Sequence, residues 1–377
     1  MRVLLLHNRY RAAGGEERAV SDLAALLARR GHTVEVLERS SAALTRARAA
    51  GSLVAGGVDA DEVAAAVRRL RADVVHAHNL LPLFGWRALA AARAAGARTV
   101  LHLHNFRLFC AIAVAHRDGA PCFRCRGANT LPGVRLRCRG RLVEATVYAT
   151  GLHLQQPHLY AHADRFVVVS RATASRLIEL GLPAQPTVAM ANFVPRASFA
   201  QRTRAQDGEY ALVAGRLVAE KGVDTAIAAA RGAGVPLVVA GAGPDEPRLR
   251  SLAEGADVRF TGHLHPDALA DLRAGAAVVL APSRWEEPCP YAVLDALAAG
   301  VPVRVSDRGG LPELVDDSHV LPAADPRAWT TSLAALWRDR TARRVEGELA
   351  LAHARERFDE GRYHDALMEV YRGGKGP

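Results

Sequence analysis

Short apolar runs, rich in Val, Leu and Ile, recur along this chain with helical stretches between them. A first series reads RVLLLH (2–7), TVEVLE (33–38), DVVHAH (73–78), TVLHLH (99–104) and RFVVVS (165–170). A second reads TVAMAN (187–192), YALVAGR (210–216), PLVVAGAG (236–243), VRFTGH (258–263), AAVVLAPS (276–283) and PVRVSD (302–307). Near-continuous apolar strands alternating with helices predict parallel sheets covered on both faces. The first intervening helix covers Glu17–Arg30 and stops at Gly31. The pattern breaks near 195–209, RASFAQRTRAQDGEY, which is polar and without periodicity. The final segment, about 345–372, is helical and charged.

This pattern predicts an α/β chain of two Rossmann-like domains facing across a cleft. Residues 1–188 form the first, with a terminal helix at about 358–377 packing back on it, and 189–357 form the second. A length of 377 residues accommodates both. Ligands of open parallel sheets bind outside the carboxyl ends of the strands, so the loops after each strand carry the chemistry.

One such loop is GRLVAEKG (215–222), between the strand YALVAGR and the helical run GVDTAIAAA. Its Lys221 is one of two lysines among 49 cationic residues; the other is Lys375. Arg216 and Lys221 on one strand-to-helix loop are suited to a diphosphate, Arg as a planar fork of donors and Lys as a compact charge. Ordinary surface charge is the alternative. A second loop, WEEPCPYAVLDALAAGVPV (285–303), follows AAVVLAPS. Pro288 and Pro290 suit the approach to a helix over Tyr291–Ala299, stopped by Gly300. Its N-terminal amides at Cys289, Tyr291, Ala292 and Val293 predict an anion site. Glu287 stands just outside that terminus and Asp295 lies within the helix.

With these residues in view, the chain resembles the family-4 retaining glycosyltransferases of the GT-B fold. That family's signature is a Glu, seven residues, then a second Glu, with a G-R-x-x-x-x-K-G-like loop upstream. Glu287 and Asp295 form the pair here, with Arg216 and Lys221 upstream. RYRAAGGEERAV resembles the family's N-terminal glycine loop, through Gly14 and Gly15. TVLHLHNFR resembles its strand ending in a functional His, here His104. AMANFVP resembles its interdomain asparagine segment, through Asn192, and SDRGGLPELV its late glycine loop, through Gly309, Gly310 and Glu313. The departures are Asp295 in place of the second Glu, Cys289-Pro290-Tyr291 in place of a commoner Phe-Gly pattern, and His102 where Thr is frequent.

The resemblance implies transfer of a sugar from a nucleotide-diphosphate donor to an acceptor hydroxyl, with retention and without a catalytic metal. A UDP-sugar is the general expectation for the donor. Arg216, Lys221 and the helix N-terminus would stabilise charge on the leaving phosphate. Glu287 would orient donor hydroxyls, His104 would contact donor sugar or acceptor, and Asp295 would reach the donor ribose. Gly14, Gly15, Asn192 and Gly215 complete the implied donor-binding set.

Other signals sit outside that reading. HAHN (76–79) and HLHN (102–105) put four histidines near strand ends, a metal-capable set. Neighbouring parallel strands commonly end at one cleft, which is the expectation adopted. Cys110, Cys122, Cys125 and Cys138 give C-x11-C-x2-C-x12-C, which fits a tetrahedral structural zinc, four ordinary thiols, or less well a redox pair. Gly241 and Gly243 offer a dinucleotide fingerprint, but Glu246 holds the place of its third glycine.

Net charge is +10, placed unevenly: residues 1–190 hold 26 arginines against 13 acidic residues. A basic half is compatible with an anionic acceptor, a membrane surface or nucleic acid. An Arg-rich nucleic-acid binder with an inactive cleft, and a GT-B epimerase or phosphorylase, are the competing functions. No nucleic-acid module supports the former. The apolar run Val3–Leu6 is short for a signal sequence, which needs about seven to fifteen residues. The expectation is a cytoplasmic protein with reduced or metal-bound cysteines, peripheral membrane contact remaining open.

Overall fold

A computed structural model describes residues 1–9, 14–40 and 44–374. Two compact units result. Met1–Ala115, Cys122–Ala191 and Tyr363–Pro377 form the first; His116–Pro121 and Asn192–Arg362 form the second.

The first unit is built on strands β1 (Arg2–Arg9), β2 (Thr33–Ser40), β3 (Val74–Ala77) and β4 (Arg98–Leu103). The antiparallel hairpin of β5 (His116–Arg117) and β6 (Ala120–Pro121) follows in sequence but belongs to the second unit. Strands β7 (Arg165–Val168) and β8 (Thr187–Ala189) complete a parallel sheet in the order β2-β1-β3-β4-β7-β8. Val3, Leu4, Leu5 and Leu6 of β1 are fully buried, because helices cover both faces of a central parallel strand. The second unit repeats the plan with β9 (Tyr210–Ala214), β10 (Leu237–Ala240), β11 (Val258–Gly262), β12 (Ala276–Ala281), β13 (Val303–Ser306) and β14 (Val320–Leu321). Its order is β11-β10-β9-β12-β13-β14. Each of the eleven apolar runs carries a strand. The hairpin and the two-residue β14 lack such a run and were not expected.

Local chemistry explains the turns from strand to helix. After β7, Ser170 accepts from the Thr173 amide at 3.2 Å and caps the helix Arg171–Glu179. Asp325 caps Pro326–Arg338 in the same way, accepting from the amides of Arg327 and Ala328. The charged C-terminal segment is two helices, Arg340–Arg357 and Glu360–Arg372. Tyr371 on the second is 2% exposed, and its hydroxyl lies 2.7 Å from His76 Nδ1 on β3. Among the described residues no helix is long and apolar enough to cross a membrane.

Candidate active site

In the second unit the loop after β9 carries Arg216 and Lys221, and the loop after β12 carries Ser283, Trp285 and Glu287. The two loops touch at Gly222. Its φ is 67°, and a Cβ there would lie 2.0 Å from the Pro282 carbonyl oxygen, so no other residue fits. Lys221 Nζ then lies 2.5 Å from Oε1 and 2.8 Å from Oε2 of Glu287. Ser283 Oγ donates to Oε2 at 2.8 Å and Trp285 Nε1 at 2.5 Å. Glu287 is 5% exposed. A carboxylate so buried is tolerated because three side chains satisfy it.

The late glycine loop supports the same residue from behind. Gly310 N donates to the Glu287 carbonyl at 2.7 Å. Gly309, at φ 57°, approaches so closely that a Cβ would stand 2.5 Å from that carbonyl oxygen. A recess results, lined by Gly215, Arg216, Lys221, Glu287, Ala292 and Val293 among others.

Three expectations change here. Lys221 is not a free cation, since Glu287 neutralises it; Arg216 is the exposed cation of its loop and has no side-chain partner among the described residues. Val293 does not offer a free amide, because its N–H donates to the Pro290 carbonyl at 3.1 Å as the helix Tyr291–Ala298 begins with a tight turn. Asp295 does not line the recess. Its carboxylate meets Arg273 at 3.2 Å, and both side chains are about nine-tenths buried (10% and 11% exposed). Asn192 is buried and its amide donates to the Cys289 carbonyl at 3.1 Å, so it holds the approach to the helix. Burial pushes the Cys289 thiol up to about 12, which keeps it protonated at neutral pH.

In the first unit His104 lies just beyond β4, with its Nε2 2.9 Å from His78 Nδ1. Burial, opposed by the Glu17 carboxylate, lowers it to about 3, so the ring is neutral. His76, at about 3, His78 and His102 are likewise lowered by burial. Gly14 and Gly15 are exposed; Gly14 precedes the helix Gly15–Arg29 and its amide donates to Glu17 Oε2 at 2.8 Å. Residues 10–13 of that loop lie outside the described residues.

Ligand atoms of His76, His78 and His102 lie within 4.8 Å of one another, the one such group among the described residues. His76 and His78 stack at 17° between ring planes, and His76 and His102 at 15°. Lone pairs of near-parallel rings run side by side and do not converge, so the group fits a metal poorly as it stands. Among the described residues the four cysteines of the 110–138 segment form no disulfide. Burial and the neighbouring sulfurs of Cys110, Cys138 and Cys122 push Cys125 up to about 11. Burial also pushes the Cys110 thiol up, opposed by the nearby backbone of Ile112, Ala115 and Ala113.

Sequence reasoning missed Ser283 and Trp285, which bind the Glu287 carboxylate from its own loop. The indole N–H was a usable signal, because a buried Trp needs an acceptor. Arg273 and Tyr371 gave none, being distant in sequence from what they touch.

Parallel sheets with a glycine-bound cation and carboxylate at their carboxyl edge define a nucleotide-binding α/β protein. Residues 13–197 match the model described as Glycosyltransferase Family 4, and residues 208–339 the model of Glycosyl transferases group 1. The chain belongs to the family-4 glycosyltransferases of the GT-B fold. It is 34% identical over 165 residues to a GDP-mannose-dependent alpha-mannosyltransferase of Mycobacterium tuberculosis, covering 42% of this chain and 43% of that one. A glycogen synthase of the same species is 35% identical over 191 residues, covering 47% and 45%. These matches span less than half the length of the curated relatives. Among solved structures, Anabaena HepE in complex with UDP superposes with a TM-score of 0.67 at 18% identity, over 99% of this chain and 100% of that one. Sucrose-phosphate synthase from Thermosynechococcus elongatus gives 0.73 at 17%, over 98% of each. At such identities the likeness concerns the fold.

Proposed function

We propose that this chain moves a glycosyl group from a nucleotide-diphosphate sugar to an acceptor hydroxyl, with retention at the anomeric carbon. The observation that carries the reading is the recess in which Arg216, Lys221 and Glu287 meet beside the start of the helix Tyr291–Ala298. Arg216 binds the diphosphate as a fork of donors. Lys221, shared in this structure with Glu287, turns part of its charge to the leaving phosphate oxygen as the anomeric C–O bond opens. Amides of the first helical turn add to that field. The acceptor oxygen bonds to the anomeric carbon on the face of departure, and its proton passes to the leaving phosphate. Glu287, fixed by Ser283 and Trp285, accepts from a donor sugar hydroxyl and is not a nucleophile. Fixed cations do the work that a divalent metal does elsewhere.

The ribose contact expected of Asp295 requires its carboxylate to leave Arg273, and we leave it out of the proposal. Asn192 acts by holding Cys289. His104, neutral, offers a hydrogen bond to sugar or acceptor, with Gly14 and Gly15 nearby in the family pattern. We propose that the four cysteines hold a structural zinc, on their C-x11-C-x2-C-x12-C spacing; no three of their sulfurs lie within 4.8 Å of one another here, so binding would draw them together.

The UDP bound to the Anabaena protein and the GDP-mannose named for the mycobacterial one leave the base to experiment. Thermal shift with UDP-, GDP- and ADP-sugars selects the donor, because preferential binding to the native state raises the unfolding temperature. Release of nucleoside diphosphate with an acceptor present, and the anomeric configuration by NMR, then test the reaction. An inverted product, or no shift with any nucleotide sugar, overturns the proposal.

A further inference from the structure

The segment that carries the cysteines also carries an unusual surface. Between Asp118 and Glu144 there is no acidic residue, while Arg124, Arg126, Arg135, Arg137, Arg139 and Arg141 are all exposed. Glu144 itself is paired with Arg46 at 2.8 Å. Beside these cations stand exposed aliphatic side chains: Leu131 at 49%, Leu142 at 52%, Val143 at 74% and Leu154 at 43%. Val143, Val147, Thr150 and Leu154 fall at intervals of four, three and four on the helix Leu142–His162, hence on one face. The opposite face buries Leu152, Gln155, Gln156 and Leu159.

The segment just before Leu131 is tied to the helix by two hydrogen bonds. Thr130 Oγ1 donates to the Ala149 carbonyl at 2.7 Å, and His153 Nδ1 lies 2.7 Å from the Ala128 carbonyl. Together they strap residues 128–130 onto the middle of the helix. Two of the arginines stand at its N-terminal end: Arg141 immediately precedes it, and the Arg139 guanidinium lies 4.6 Å from the Tyr148 ring centroid.

We infer that this face, the helix Leu142–His162 with its arginine-rich approach, docks the protein on an anionic lipid bilayer. The chemistry selects the partner. Guanidinium groups suit headgroup phosphates, and short aliphatic side chains beside them suit the headgroup–acyl boundary. A soluble acidic polysaccharide would pair the arginines but leave Leu142 and Val143 in water. A second copy docking through the same face would set arginine against arginine. The inference does not depend on the transfer reaction.

The test is co-sedimentation of the full chain with vesicles of phosphatidylcholine alone, and of phosphatidylcholine and phosphatidylglycerol in equal parts. Binding is expected to the anionic vesicles only and to weaken with salt. Arg135→Gln and Arg141→Gln should each reduce partitioning about fivefold. Leu142→Ser with Val143→Ser should reduce it about tenfold. Because these residues are exposed, an unchanged unfolding temperature verifies that each variant is folded. Equal binding to both vesicle types, no binding to either, or unchanged partitioning of the folded variants overturns the inference. So does concentration-dependent dimerisation that Val143→Ser abolishes.

Discussion

Lys221 can be replaced by Met to ask whether it serves the fold or the reaction. Its side chain is 21% exposed and that of its partner Glu287 is 6% exposed. Removing one member of a buried pair costs about 3–5 kcal/mol, because the other charge is left without compensation. Partial exposure of Lys221 puts the expectation near the lower value, about 3 kcal/mol. For a unit of this size each kcal/mol moves the unfolding temperature by about 2–4 °C, so Lys221→Met should lower it by about 6–12 °C. Adding Glu287→Gln removes the orphaned charge while leaving an oxygen to accept from Ser283 and Trp285. The double variant should therefore regain stability to within about 1 kcal/mol of the parent. Turnover should not return with it. Loss of a donor to the developing charge costs about 10²–10³ in kcat, or about 2.7–4 kcal/mol. Scanning calorimetry and nucleoside diphosphate release on the three proteins separate the two quantities. If the double variant recovers both stability and kcat, Lys221 is a structural partner of Glu287 and its assigned role is wrong.

Asp295→Ala should destabilise the protein in urea, by removing the carboxylate that meets Arg273, while leaving the donor KM unchanged; a raised KM with normal stability would restore the ribose contact. Histidines 76, 78, 102 and 104 are held below their unfolded value near 6.5. The stability they confer is complete above that value and is lost as pH falls below it, for His76 and His104 down to about 3, at about 1.4 kcal/mol per pH unit for each of these two. Acid titration followed by circular dichroism should show unfolding begin below about pH 6.5, and a stability curve flat from pH 7 to 4 contradicts this. The purified protein should carry one zinc per chain, and Cys122→Ser with Cys125→Ser should remove it and speed tryptic cleavage at the exposed arginines of 124–141; retention of zinc by that variant rules the site out.

Much of this was legible because it is local. Near-continuous Val and Leu runs identify buried parallel strands wherever they occur, and glycines such as Gly222 and Gly309 sit where a backbone passes within van der Waals range of another. The loop placement of Arg216, Lys221 and Glu287 followed from the strands. Contacts between distant segments were not legible. Nothing near Asp295 announces Arg273, 22 residues away in sequence. The engagement of the Lys221 ammonium depends on how two loops fold together, which composition does not encode. Hairpin β5–β6 and strand β14 are too short to show a hydrophobic period.

The contact between His76 and Tyr371 joins positions 295 residues apart. A ribosome emits β3 long before the helix Glu360–Arg372, so the earlier sheet waits for a distant segment to cover one of its buried imidazoles. Throughout that interval the whole second unit is synthesised. A nascent chain of this protein therefore presents a partly unsealed first unit for most of its translation, and a chain ending before Tyr363 would keep that seam open.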